Sequence, residues 1–246
     1  MNLFHHSELD GLPLESWQNI AYLQFKEKIT DKTNPFPCIP AVLGYTLGHL
    51  RFGFAGIPES QESAKELAYI LKDYTINYKS FGKFTSLIVF FNTPQERYKN
   101  WQVEDYYRLF WQQLENLNKY DEQAWPESIP IDPNHPLWEY CFHGTSYFMY
   151  CATPAHENRK SRSFPAYMLA ITPRSVLIDF LAQEKQAANL KKKIRHRIEK
   201  YDKLPIHPAL NSYGNSDNFE WKQYFLPDEQ INFSECPFKK MIKKSH

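Results

Sequence analysis

The stretch "ATPAHENRKSRSF", Ala152 to Phe164, sets one imidazole ahead of two guanidinium groups. His156 has the chemistry to ligate a metal or a heme iron, or to act as a base near neutral pH. Arg159 and Arg162 lie three residues apart. In a single helical turn they would share a face and grip a carboxylate, a phosphate or heme propionates through forked N–H donors. The same residues also suit a solvated basic loop, with His156 bonded to a backbone carbonyl.

Three other stretches carry reactive groups. "FPCIP" holds Cys38 between prolines in a rigid turn, where it is a thiolate ligand, a nucleophile or a small packing residue. "FHGTSYF" sets His143 beside Gly144, where a backbone or a ligand can approach closely. "LPIHPALNSYGNSDNFEWKQYF" crowds polar and aromatic side chains into an irregular tail. There a carboxylate, Glu220 or Asp217, is suited to hold a cationic substrate. No HExxH, GxSxG, GxGxxG or GxxxxGK occurs, and no two histidines sit four apart on one helix. The familiar zinc and nucleotide-phosphate machinery is therefore absent.

These groups need elements to position them. Apolar spacing predicts helices over Leu14 to Ile29, over "SAKELAYILKDY" with Ser60 or Ser63 as its cap, and over Val103 to Leu117. "NPFPCIP" breaks the first of these, and "LGHLRFGFAG" after it carries a strand. "FTSLIVFFN" reads as a buried strand over Phe84 to Phe91. "WEYCFHGTSYFMYCAT" reads as two strands turning at Gly144, and "AYMLAIT" as another. One long helical segment follows, "SVLIDFLAQEKQAANLKKKIRHRIEKYD". Beyond Leu204 the regular signals fade. Strands in a hairpin cluster with helices before and after predict an α+β fold. The expected architecture is a single domain over residues 1–246, with a largely antiparallel central sheet, helices around it and a loop-rich C-terminal segment.

The chain's 246 residues can bury a real core, and 16% of them are aromatic, which suits a pocket with bulky apolar walls. There are 29 basic and 28 acidic residues, so no field favours nucleic acid. The basic run "KKKIRHR" reads as a solvated helix face. No uninterrupted apolar run approaches the roughly 18 residues of a spanning helix, and "MNLFHHSELDG" lacks the regions of a signal peptide. Four scattered cysteines without CxxC read as reduced thiols. The expected location is the cytoplasm, away from membranes.

Taken together, "FPC", "DPNHPLWEYCFHGTSYF", "TPAHENRKSR", "TPR", "IRHRIEKYD", "YGNSDNFEWKQYFLPD" and the terminal "CPF" resemble, in order along nearly the whole chain, the YqcI/YcgG family of bacterial proteins. The resemblance implies a heme-dependent oxygenase of the kind that N-hydroxylates guanidine groups on arginine-like small molecules. The implied cofactor is heme b, and an electron donor is required. Under that implication His156 is the preferred iron ligand, with Arg159 and Arg162 as propionate partners. Cys38 is the rival ligand and His143 a third choice. Glu220, with Asp217 behind it, would orient the substrate's guanidine or amine. The competing expectations are a heme-binding sensor or carrier without turnover, and a non-heme protein whose arginine loop holds an anion or a partner.

Overall fold

Along "LIVFF" the side chains alternate between two apolar environments. Leu87, Val89 and Phe91 join one core cluster and Ile88 and Phe90 the other, and all five are buried. A strand buried on both faces belongs at the middle of a covered sheet. The computed structural model describes residues 3–13, 16–181, 184–211, 218–231 and 233–238.

In chain order the elements are α1 (His6–Leu9), α2 (Trp17–Thr30), α3 (Ile39–Thr46), β1 (Arg51–Ala55), α4 (Gln61–Asn77), β2 (Leu87–Phe91), α5 (Gln95–Tyr98), α6 (Val103–Lys119), β3 (Tyr140–Phe142), β4 (Thr145–Ala152), β5 (Met168–Pro173), α7 (Arg174–Leu181), α8 (Glu184–Tyr201) and α9 (Trp221–Tyr224). The five strands form one sheet in the order β1-β2-β5-β4-β3. Only β1 and β2 run parallel, and α4 makes the crossover that such a pair requires. The β2–β5, β5–β4 and β4–β3 pairs are antiparallel. The fold is α+β with a largely antiparallel sheet, as the sequence pattern implied. The larger core packs α4 and α6 on one face, and α2 covers the other.

Several boundaries follow from capping. The Ser16 hydroxyl accepts the Asn19 amide at 3.2 Å and starts α2 at Trp17, later than apolar spacing alone placed it. Ser60 caps α4, accepting the Ser63 amide at 3.1 Å. The β3–β4 hairpin turns through His143 and Gly144, both in the left-handed region (φ 49° and 72°), as a two-residue turn needs. The segment read as one long helix is two, α7 and α8, with residues 182 and 183 outside the description.

α3 went unread because "FPCIP" reads as a breaker. Proline is tolerated in a helix's first turn, where its missing N–H has no partner to lose, and Pro40 sits there. Gly44 lets α3 approach closely. An added Cβ would stand 2.9 Å from Leu50 Cδ2 and collide with the Phe84 carbonyl oxygen, which is backbone and cannot swing away. Gly44→Ala is therefore expected to cost about 1–3 kcal/mol in chemical denaturation. A variant as stable as the parent would show that α3 has room to move.

Candidate functional site

The basic loop between β4 and β5 is tied to the stretch 223–229 near the C-terminal end of the described residues. Thr153 and Arg162 exchange a backbone bond (Thr153 N to Arg162 O, 3.0 Å), and residues 160–162 form a 3-10 turn. His156 is 2% exposed. Its Nε2 donates to the Leu226 carbonyl at 2.8 Å, since a carbonyl only accepts, and that leaves Nδ1 to accept the Thr153 hydroxyl at 2.8 Å. Both ring nitrogens are thus engaged.

The arginines are used the same way. Arg159 donates from Nε to Pro227 O (2.7 Å), from Nη1 to Pro205 O and from Nη2 to Glu229 O (3.3 Å each). The backbone amides of Glu157, Asn158 and Arg159 all donate to the Asp228 carboxylate. Arg162 donates to Tyr224 O (2.9 Å), Gln223 O (2.8 Å) and Cys151 O (3.4 Å), and lies 4.2 Å over the Tyr150 ring. The carbonyls at the end of α9 (223 and 224) and in the loop that follows (226–229) have no ladder to join, and buried carbonyls need donors. The guanidinium forks supply them.

In this geometry His156 is bonded to a backbone carbonyl, and the loop's side chains turn to protein partners. His156, Arg159 and Arg162 are a clasp that fastens the C-terminal segment. His156 has no free nitrogen for iron, and neither guanidinium is turned outward toward an anion. His143 serves as a hairpin turn residue whose amide donates to Asp121 at 3.1 Å. Asp217 lies outside the described residues.

Burial lowers the His156 pKa from 6.5 to about 4, so the folded ring is neutral. The unfolded chain takes up this proton first. Stability that rests on the neutral ring is therefore present above about pH 6.5 and is lost as pH falls toward about 4, up to roughly 3 kcal/mol. Melting temperatures across that window are expected to fall less steeply for His156→Gln than for the parent. Parallel slopes would show that the ring is not held neutral.

The groups suited to chemistry meet elsewhere, in a cavity of about 650 Å3 between α3, α7 and α8. Leu177 and Ile178 of α7, Leu190, Ile194 and Ile198 of α8, and Phe148 of β4 make its walls largely apolar. Cys38 opens onto it from the N-cap position of α3. Cys38 is solvent-exposed where it borders the cavity, with protein packed closely around it. Burial pushes its pKa up, while the Ala41 amide at the helix start and the Arg162 guanidinium favour the thiolate.

Glu220 and Arg174 line the same cavity, with Gln223. Arg174 opens α7 directly after β5. Its Nε lies 3.0 Å from Glu139 Oε1 and its Nη1 3.7 Å from Glu220 Oε2. Burial raises the Glu220 pKa, with the Arg174 charge opposing and the Glu139 charge adding to the rise. Lys191 and Arg195, one turn apart on α8, also face the cavity, although "KKKIRHR" reads in sequence as a solvated face. Of the residues singled out in the sequence, the cavity brings Cys38 and Glu220 together, and it adds Arg174, Lys191 and Arg195, with Glu139 behind Arg174, which the sequence reading did not single out. The available signal was an arginine placed where a strand passes straight into a helix, the "TPR" stretch. Among the described residues no group of His, Cys, Asp and Glu converges as a metal site, and no helix is long and apolar enough to cross a membrane.

The chain is 46% identical over 241 residues to the uncharacterized protein YqcI of Bacillus subtilis (strain 168), covering 97% of this chain and 95% of that one. It is 45% identical over 225 residues to YcgG of the same organism, covering 92% and 89%. It is 30% identical over 234 residues to a Streptomyces lavendulae protein with the provisional name N(omega)-hydroxy-L-arginine synthase DcsA, covering 93% and 86%. No solved structure gives a significant match. The YqcI/YcgG family model matches residues 25–239, and the chain belongs to that family.

Proposed function

We propose that this protein N-hydroxylates the guanidine group of an arginine-like small molecule, using heme b held through Cys38 in the cavity between α3, α7 and α8. The observation that carries this reading is a cysteine at a helix N-terminus facing an apolar cavity that also contains a buried carboxylate. The name of the Streptomyces relative supports the substrate class.

The residues present fit the cofactor. A cavity of about 650 Å3 falls within the roughly 300–1,000 Å3 range of cofactor-sized sites. Heme needs apolar walls, an axial ligand and cations for its propionates. Leu177, Leu190 and Ile194 suit the first need, Cys38 the second, and Lys191 with Arg195 the third. Bound heme would supply oxygen activation, with electrons from an external reductant.

The chain's own contributions are then distinct. The start of α3 offsets the desolvation of the Cys38 thiolate, and coordination would remove the proton that burial otherwise retains. The apolar faces of α7 and α8 exclude water from the reacting nitrogen. Glu220 orients the substrate cation.

Incubating hemin-loaded protein with L-arginine, a reductant and oxygen is expected to yield a product heavier by one oxygen atom in mass spectrometry. Heme bound without any such product would leave a sensor or carrier.

A further inference from the structure

We infer that Glu220 is the exchangeable member of a buried Glu139–Arg174–Glu220 line and takes the substrate's cationic head, a guanidinium or amidinium, in place of Arg174. This rests on reading the cavity as a substrate site, and it goes further by naming what selects the substrate.

The two arms of the line differ. Arg174 stands 3.0 Å from Glu139, an ion-pair contact, but 3.7 Å from Glu220, beyond hydrogen-bond length. Glu220 Oε1 accepts from Asn218 Nδ2 at 3.3 Å, and Asn218 Oδ1 accepts from Gln223 Nε2 at 3.2 Å. Oε1 is therefore held in place while Oε2 faces a loose partner. Glu139 sits behind Arg174, 1% exposed, and among the described residues neither of its carboxylate oxygens accepts a hydrogen bond, so the 3.0 Å contact is an ion pair alone.

Charge balance points the same way. Among the described residues two carboxylates face one guanidinium, and both are withdrawn from water, Glu220 being 4% exposed. An ionised surplus carboxylate in such a place is unfavourable unless a proton or a cation joins it. Burial raises the Glu220 pKa, so Glu220 is the group disposed to take one. Arg174, Glu220 and Gln223 line the cavity, so a cation entering it can reach Oε2. A guanidinium matches a carboxylate with two parallel N–H donors, and a neutral urea of the same shape brings no charge.

The test is calorimetry on the full chain, with and without hemin, using L-arginine, guanidinium chloride and the neutral isostere L-citrulline. Arginine is expected to bind at least tenfold tighter than citrulline. Glu220→Gln is expected to lose at least tenfold in arginine affinity while its hemin spectrum stays unchanged. Glu139→Gln should also weaken arginine, because Arg174 is then free to close on Glu220. Equal binding of arginine and citrulline, no binding of either cation, or unchanged affinity in Glu220→Gln would overturn the inference. If Glu220→Gln fails to fold, unchanged affinity in Glu139→Gln overturns it instead. Failure of hemin uptake with arginine still preferred over citrulline would remove the heme reading and leave this site standing.

Discussion

Arg162→Ala is expected to destabilise the protein by roughly 3–6 kcal/mol and to release the C-terminal segment first. The side chain is 4% exposed and donates to the carbonyls of Cys151, Gln223 and Tyr224. Alanine leaves those acceptors buried without donors, at about 1–3 kcal/mol each. Domains are held by only about 5–15 kcal/mol in total, so the loss is a large share. Arg162→Lys is expected to rescue little, since one ammonium cannot reproduce a planar fork spread over three carbonyls. Limited proteolysis should cut within 218–231 before the sheet is touched, because Arg162 and Arg159 together pin that stretch. A melting transition within about 1 kcal/mol of the parent, with no new cleavage, would mean that the clasp is not structural.

Cys38→Ser is expected to abolish arginine hydroxylation, by on the order of a hundredfold or more, while leaving the fold intact. The two readouts separate because the cysteine's sulfur and its backbone do different things. Its carbonyl accepts the Val42 amide at 3.2 Å, and serine keeps that bond. Serine is also a better N-cap than cysteine for α3, so the melting temperature should stay level or rise. A thiolate's electron donation is what serine cannot supply. Full turnover in Cys38→Ser would rule out this cysteine as the cofactor's ligand.

Much of the fold was legible because it is locally encoded. The alternation in "LIVFF", the apolar faces of α4 and α6, and the turn at Gly144 are each written within a few residues. The parallel pairing of β1 with β2 was not legible, because nothing local distinguishes a strand's partner. The break between α7 and α8 was hidden by continuous helix-forming composition.

The site divides along the same line. Residue types singled out His156, Arg159 and Arg162, yet their partners are carbonyls some 60 to 70 residues downstream, at the end of the short α9 and in the loop after it. A backbone carbonyl leaves no trace in residue identity. Cys38 could be named but not weighed, because its worth depends on α3, a helix that its prolines disguise. Arg174 and Glu139 look ordinary in sequence and become notable only when β5 and the approach to β3 bring them 3.0 Å apart.

The most direct test of the central claim is the absorbance spectrum of the purified protein after hemin addition, reduction and exposure to carbon monoxide. A strongly red-shifted carbon monoxide band, absent in Cys38→Ser and retained in His156→Gln, is the result expected for a thiolate-held heme in this cavity. An imidazole-type band that survives Cys38→Ser, or no heme band at all, would contradict it.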